Sequence, residues 1–139
     1  MAKKILLIDD DADDRALFSE ALHEVAPEIV CVTESDPRNG MKELFAPGNE
    51  LPDVIFLDIN MPRLSGWDCL EKIKSDDSTR EIPVIMFSTS SHQKDIEKAC
   101  RYGAACLLTK PSDFAELTES LQTIVNNVHN SSFFVYPQG

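Results

Sequence analysis

Short apolar runs alternate with helical patterns along the chain. Ile5-Leu6-Leu7-Ile8 is apolar at every position, the pattern of a strand covered on both faces. Leu17, Phe18, Ala21, Leu22 and Val25 then recur at i, i+1, i+4, i+5 and i+8. That spacing predicts one face of a helix, with Asp13 or Asp14 near its N-cap and Pro27 beyond its end. Residues 29–33 read as a second strand. Asp36-Pro37 supplies the N-cap and first-turn proline of a second helix carrying Met41, Leu44 and Phe45, which Pro47-Gly48 stops. Residues 54–57 form a third apolar run, and the loop over 60–66 leads to a helix carrying Trp67, Leu70, Ile73 and Lys74. Residues 83–87 predict a fourth strand. Ile96, Ala99, Cys100 and Tyr102 mark the next helix, with Gly103 placed as its C-terminal cap. Residues 106–108 predict a short fifth strand, and Phe114, Leu117, Leu121, Ile124, Val125 and Val128 a long last helix.

Five strands alternating with five helices imply βαβ units, a parallel sheet and right-handed crossovers, an α/β fold. The 139 residues suit one domain able to enclose a core without disulfides or structural metal. No internal repeat or low-complexity segment interrupts the pattern. The stretch 130–139, with Phe133, Phe134, Val135 and Tyr136, shows no clear element. It reads equally as a tail, an intramolecular cover or a homodimer contact.

Lys plus Arg is 13 and Asp plus Glu is 24, a formal net charge of −11. That balance speaks against broad binding to nucleic acid or anionic membrane and favours cations or basic protein surfaces. The longest apolar runs, about four residues, are far short of the roughly 20 a membrane-crossing helix needs. The start, MAKKILLIDDD, turns acidic too soon for a signal peptide. Cys31, Cys69, Cys100 and Cys106 form no C-x-x-C pair, so reduced thiols in a cytoplasmic protein is the simplest reading.

In open α/β sheets ligands bind outside the carboxyl ends of the strands. Asp9-Asp10-Asp11 follow the first predicted strand, Asp58-Ile59-Asn60 the third, Ser88-Thr89 the fourth and Thr109-Lys110-Pro111 the fifth. Asp9, Asp10 and Asp58 would carry three negative charges, which one Mg²⁺ and the Lys110 ammonium would balance. Mg²⁺ takes hard oxygen ligands, and one or two carboxylates plus a backbone carbonyl suffice. A carboxylate such as Asp58 can attack phosphorus and form an aspartyl phosphate. Mg²⁺, Lys110 and the Ser88 hydroxyl would then neutralise the phosphoryl oxygens. Asp11, Asp13 and Asp14 read as residues favouring a helix N-terminus rather than binding anything. A calcium loop starting at Asp9 fails because Asp14 stands where its sharp turn needs glycine.

The segments ILLIDDD, VIFLDINMPRLSGWDCL, PVIMFSTS and LLTKP, in this order over about residues 3–128, resemble the receiver domain of two-component response regulators. The resemblance implies a flavodoxin-like doubly wound sheet of strand order 2-1-3-4-5, with a receiver domain over 1–129 and a tail over 130–139. It implies that Asp58 is the phosphoacceptor. Asp10 and Asp58 would be side-chain Mg²⁺ ligands, Asn60 the backbone-carbonyl ligand, and Asp9 the acid holding a metal-bound water. Ser88 would be the switch hydroxyl and Lys110 the family's lysine, with a cis peptide before Pro111. Leu107 departs from the family, which usually has an aromatic residue three positions before the lysine. The resemblance implies a stand-alone signalling protein rather than an enzyme with a separate substrate. Its partners would be a sensor histidine kinase or histidine phosphotransfer protein and a downstream protein target. The DDDADDR stretch and the tail also resemble single-domain receivers that serve phytochrome-type and other sensor kinases. Two other functions compete. A haloacid-dehalogenase-like phosphatase would need D-x-D-x-[TV], and Asp9 to Asp13 has the D-x-D without the Thr or Val. A docking module that keeps the fold without phosphorylation would have no need of the acid pocket and Lys110.

Overall fold

A computed structural model describes residues 3–89, 92–111 and 113–127. Its elements run β1 (Lys4–Ile8), α1 (Ala12–Val25), β2 (Val30–Glu34), α2 (Pro37–Leu44), β3 (Val54–Asp58), α3 (Gly66–Ser75), β4 (Val84–Ser88), α4 (Gln93–Arg101), β5 (Cys106–Thr109) and α5 (Phe114–Asn127). The strands form one parallel sheet of order β2-β1-β3-β4-β5. The order reverses between β1 and β3, which is where such sheets leave a crevice at the carboxyl edge.

Alternate residues of each central strand enter two separate cores. Leu6, Ile8, Ile55, Leu57, Val84 and Met86 meet α2, α3 and α4 through Met41, Leu70, Ile73 and Ile96. Ile5, Leu7, Val54, Phe56, Ile85 and Phe87 meet α1 and α5 through Phe18, Leu22, Leu121 and Ile124. Helices on both faces are the reason the strands read as unbroken apolar runs. Phe56 and Phe87 meet Phe18 edge-on, with ring centroids 4.9 Å and 6.0 Å from it.

The element ends follow capping chemistry. Asp36 caps α2, with Pro37 in its first turn, as expected. Ser65 and Asp68 form a reciprocal capping box on α3. At the end of α4, Gly103 has φ +90°, and its N–H and that of Ala104 return to the carbonyls of Cys100 and Ala99. That is a Schellman cap, and it confirms the expectation for Gly103.

The N-cap of α1 is Asp11, whose Oδ1 accepts the Asp14 N–H at 2.9 Å, and Asp13 and Asp14 lie in the first turn, near the cap as expected. One local expectation is corrected. Leu17 is 45% exposed rather than part of the core face, which Phe18, Ala21 and Leu22 occupy. Adjacent helical positions point about 100° apart, and α5 covers only one of them. Trp67 packs against the core, as expected, with Tyr102 edge-on to it and the Lys98 ammonium 4.7 Å above its ring. Val128 and the Phe133, Phe134, Val135 and Tyr136 patch lie outside the described residues.

Gly66 opens α3 directly beneath the end of β3. A Cβ there would fall inside the contact distance of the Asp58 carbonyl oxygen and 3.0 Å from the Ile59 Cα. Both obstacles are backbone and cannot swing aside. Alanine is a better helix former than glycine by about 1 kcal/mol, but the clash outweighs it. Gly66→Ala is expected to destabilise the protein by about 1–3 kcal/mol, measured by urea unfolding.

Candidate functional site

Parallel pairing brings the acidic residues together. Ile8 is in register with Leu57, so Asp9 and Asp58 are the next residues on adjacent strands. Counting along each strand, both share the parity of the residues that meet α1 and α5. Carboxylate oxygens of Asp9, Asp10 and Asp58 lie within 4.8 Å of one another. Asp9 is fully buried, Asp58 is 6% exposed and Asp10 faces solvent.

One ammonium serves this cluster. Lys110 Nζ lies 2.9 Å from Asp9 Oδ2 and 3.8 Å from Asp58 Oδ2. Its hydrogen bond, at 2.7 Å, goes to Asp14 Oδ2. The Lys110 N–H donates to the Ser88 carbonyl, and in register Ser88 faces Thr109. This extends the β4–β5 ladder to the lysine. Ser88 is buried at the end of β4. The Asn60 N–H donates to Asp58 Oδ1 at 3.3 Å, holding the loop after β3 against the carboxylate. The backbone of that loop turns back through Gly66, whose N–H donates to the Ile59 carbonyl.

The electrostatics follow from this crowding. Burial pushes the Asp58 carboxyl up to about 7, and the negative charge of Asp9 adds to the effect. Lys110 opposes it only in part. Burial pulls Lys110 down, but its hydrogen bond to Asp14, its ion pair with Asp9 and the charge of Asp58 outweigh that and hold it above the ordinary lysine range. Asp9 Oδ1 accepts the Asp11 N–H at 3.0 Å. Asp9 Oδ2 is buried and accepts no hydrogen bond of good geometry despite its ion pair with Lys110. A buried carboxylate oxygen left in that state, facing two other carboxylates, fits a divalent cation with oxygen ligands.

The expected residues are therefore brought to one edge: Asp9, Asp10, Asp58 and Lys110 in one cluster, with Asn60 and Ser88 at the adjoining strand ends. Two neighbours were missed. Asp14 is a direct partner of Lys110, and Arg15 Nη1 donates to the Asp9 carbonyl at 2.8 Å. Their signal was the first turn of α1, which follows β1 at the carboxyl edge and faces the crevice. Asp11 of the D-x-D pattern is used to cap α1, and a strand precedes Asp9 where a calcium loop would need a helix. No cis peptide occurs among the described residues, so the Lys110–Pro111 bond is trans, against expectation. The lysine reaches the carboxylates in that form. Leu107 is buried, 2% exposed, in the core shared with Ile96 and Ala99 of α4.

A family model for the response regulator receiver domain matches residues 5–122, and the chain belongs to that family. A protein-glutamate methylesterase/protein-glutamine glutaminase of Methanococcoides burtonii is 37% identical over 135 residues. That match covers 93% of this chain but 36% of the relative, so the chain spans about a third of that protein's length. The crystal structure of the phosphorylated cyanobacterial phytochrome response regulator RcpA superposes with a TM-score of 0.83 at 30% identity, covering 94% of this chain and 96% of that one. The Mn²⁺-bound form of response regulator Rcp1 gives a TM-score of 0.79 at 26% identity, covering 98% and 99%. The protein is a receiver domain of a response regulator, a signalling domain with the flavodoxin-like topology. No described helix is long and apolar enough to cross a membrane.

The raised Asp58 group makes stability pH-dependent when no metal is bound. The folded state keeps this proton up to about pH 7, whereas the unfolded chain releases it near 3.8. Between those values the folded state binds more protons, so stability falls as pH rises through that window. In EDTA at pH 8, Asp58→Asn is expected to stabilise the protein by about 2 kcal/mol, with the gain vanishing near pH 4. The shift alone would give about 4 kcal/mol, but the asparagine amide still bears a burial cost. Thermal unfolding at the two pH values measures the difference.

Proposed function

We propose that the protein is a phosphoacceptor switch in which Asp58 takes a phosphoryl group from the phosphohistidine of a sensor histidine kinase or of a histidine phosphotransfer protein. The observation that carries this reading is the cluster of Asp9, Asp10 and Asp58 carboxylates within 4.8 Å, beside the Lys110 ammonium. In the transfer, an Asp58 carboxylate oxygen bonds to phosphorus as the P–N bond to the histidine breaks. The imidazole leaves with the electron pair and takes up a proton from water. Such a step asks the protein mainly for positioning and charge neutralisation.

The residues of this chain divide that work. Asp10 and Asp58 with the Asn60 carbonyl would hold Mg²⁺, and Asp9 would hold a water on it. When bound, Mg²⁺ supplies the positive charge that offsets the crowded carboxylates and the phosphoryl oxygens. Lys110 supplies the remaining positive charge from β5, and the Ser88 hydroxyl donates to a phosphoryl oxygen from β4. The added charge draws both inward and remodels the face of α4, β5 and α5, which a downstream protein reads. With aliphatic Leu107 in β5, the change at that face passes through packing rather than through rotation of a buried ring.

The receiver unit is assigned to residues 1–129, with 130–139 as a tail. A cytoplasmic setting agrees with the free thiols of Cys31, Cys69, Cys100 and Cys106.

Intact-mass spectrometry after incubation with acetyl phosphate tests the reading; there the P–O bond breaks and acetate leaves. One phosphoryl adduct per chain is expected, requiring both Mg²⁺ and Asp58 and absent in Asp58→Asn. Lys110→Ala is expected to slow its formation tenfold or more. No adduct on the wild type would overturn the reading and leave the fold as a static docking surface.

A further inference from the structure

Lys110 is shared between three carboxylates, and the sharing is unequal. Its Nζ lies 2.7 Å from Asp14, 2.9 Å from Asp9 and 3.8 Å from Asp58. The 3.8 Å separation is too long for a hydrogen bond. The phosphoacceptor is therefore the carboxylate the ammonium serves least. We infer that Asp14 is a positioning residue that holds the Lys110 ammonium off Asp58 in the unphosphorylated protein and so limits how fully Asp58 becomes phosphorylated. This rests on the phosphoacceptor reading of Asp58.

Asp14 is presented rigidly. Asp11 caps the turn by accepting the Asp14 N–H, and Arg15 ties the same turn to the end of β1 through the Asp9 carbonyl. Phe18, Ala21 and Leu22 anchor the helix that follows in the core. On its other side the ammonium lies 5.4 Å above the Phe87 ring. Lys110 is 12% exposed, so the pair is only partly screened by water, while Asp14 is 33% exposed and can be replaced without opening the core.

Phosphorylation converts the Asp58 carboxylate into an acyl phosphate, with more negative charge and three further acceptor oxygens. The ammonium is then drawn toward the phosphoryl group and away from Asp14. Asp14 loses its partner and faces a more negative site. Both effects favour the unphosphorylated state, so removing the Asp14 charge favours the phosphorylated one. For a partly exposed pair the expected size is about fivefold.

The test uses the full chain with acetyl phosphate, at a Mg²⁺ concentration shown by titration to be saturating for each variant. The ratio of phosphorylated to unphosphorylated protein is read at steady state by intact mass. Asp14→Asn and Asp14→Ala are expected to raise that ratio about fivefold, and Asp14→Glu to return it toward the wild-type value. The alanine variant excludes an asparagine oxygen that still accepts from Lys110. A merely structural role for Asp14 predicts lower phosphorylation in both variants. An unchanged or lowered ratio in the asparagine and alanine variants overturns the inference, as does a gain that glutamate does not reverse. If the wild type is phosphorylated normally, these results overturn this inference alone. A wild type that accepts no phosphoryl group overturns the phosphoacceptor reading and this inference with it.

Discussion

Carboxylates at the ends of β1 and β3 are held close together around a single ammonium from the end of β5. At the effective dielectric of a protein edge, two unit charges 4.8 Å apart repel by about 3 kcal/mol. The three acids would spread apart if they stood on free loops. They are held because Asp58 ends β3 and Asp9 directly follows β1, strands whose side chains are buried on both faces. The two cores on either side of the sheet thus support a local arrangement that is unfavourable by itself. The same repulsion gives the site its chemistry, since a pocket short of positive charge responds to a cation and to any change on Asp58.

Each supporting feature around that pocket has a local cause. Parallel register sets Asp9 beside Asp58. The N–H of Asn60 and the close approach of Gly66 keep the loop after β3 folded against Asp58. The Lys110 N–H, bonded to the Ser88 carbonyl, keeps β5 in step with β4, so the lysine stem points back into the crevice. Arg15 and the cap at Asp11 fix the start of α1 against the end of β1. Charge at Asp58 is therefore felt at the ends of β4 and β5 and the start of α1 together.

Much of this was legible in the sequence. Strands covered on both faces leave unbroken apolar runs, so β1, β3 and β4 stood out and the residues at their ends could be named. β2 was less distinct because it lies at the sheet edge, where Val30 is 59% exposed. Leu17 was misplaced because a helix face is decided by what packs on it, and spacing alone left either of two adjacent residues possible. Asp14 was read as an ordinary residue of a helix start. In a run as acidic as DDDADD the position of the N-cap decides which carboxylate turns toward Lys110, and that cap is Asp11. The peptide before Pro111, expected cis from the family, is trans.

The most direct test of the central claim is a calorimetric titration of the metal-free protein with Mg²⁺, at low and high ionic strength, alongside Asp10→Asn. A charge-deficient pocket predicts one ion per chain, bound more tightly at low salt and lost or strongly weakened in the variant. No saturable binding, or binding that Asp10→Asn leaves unchanged, would contradict the account.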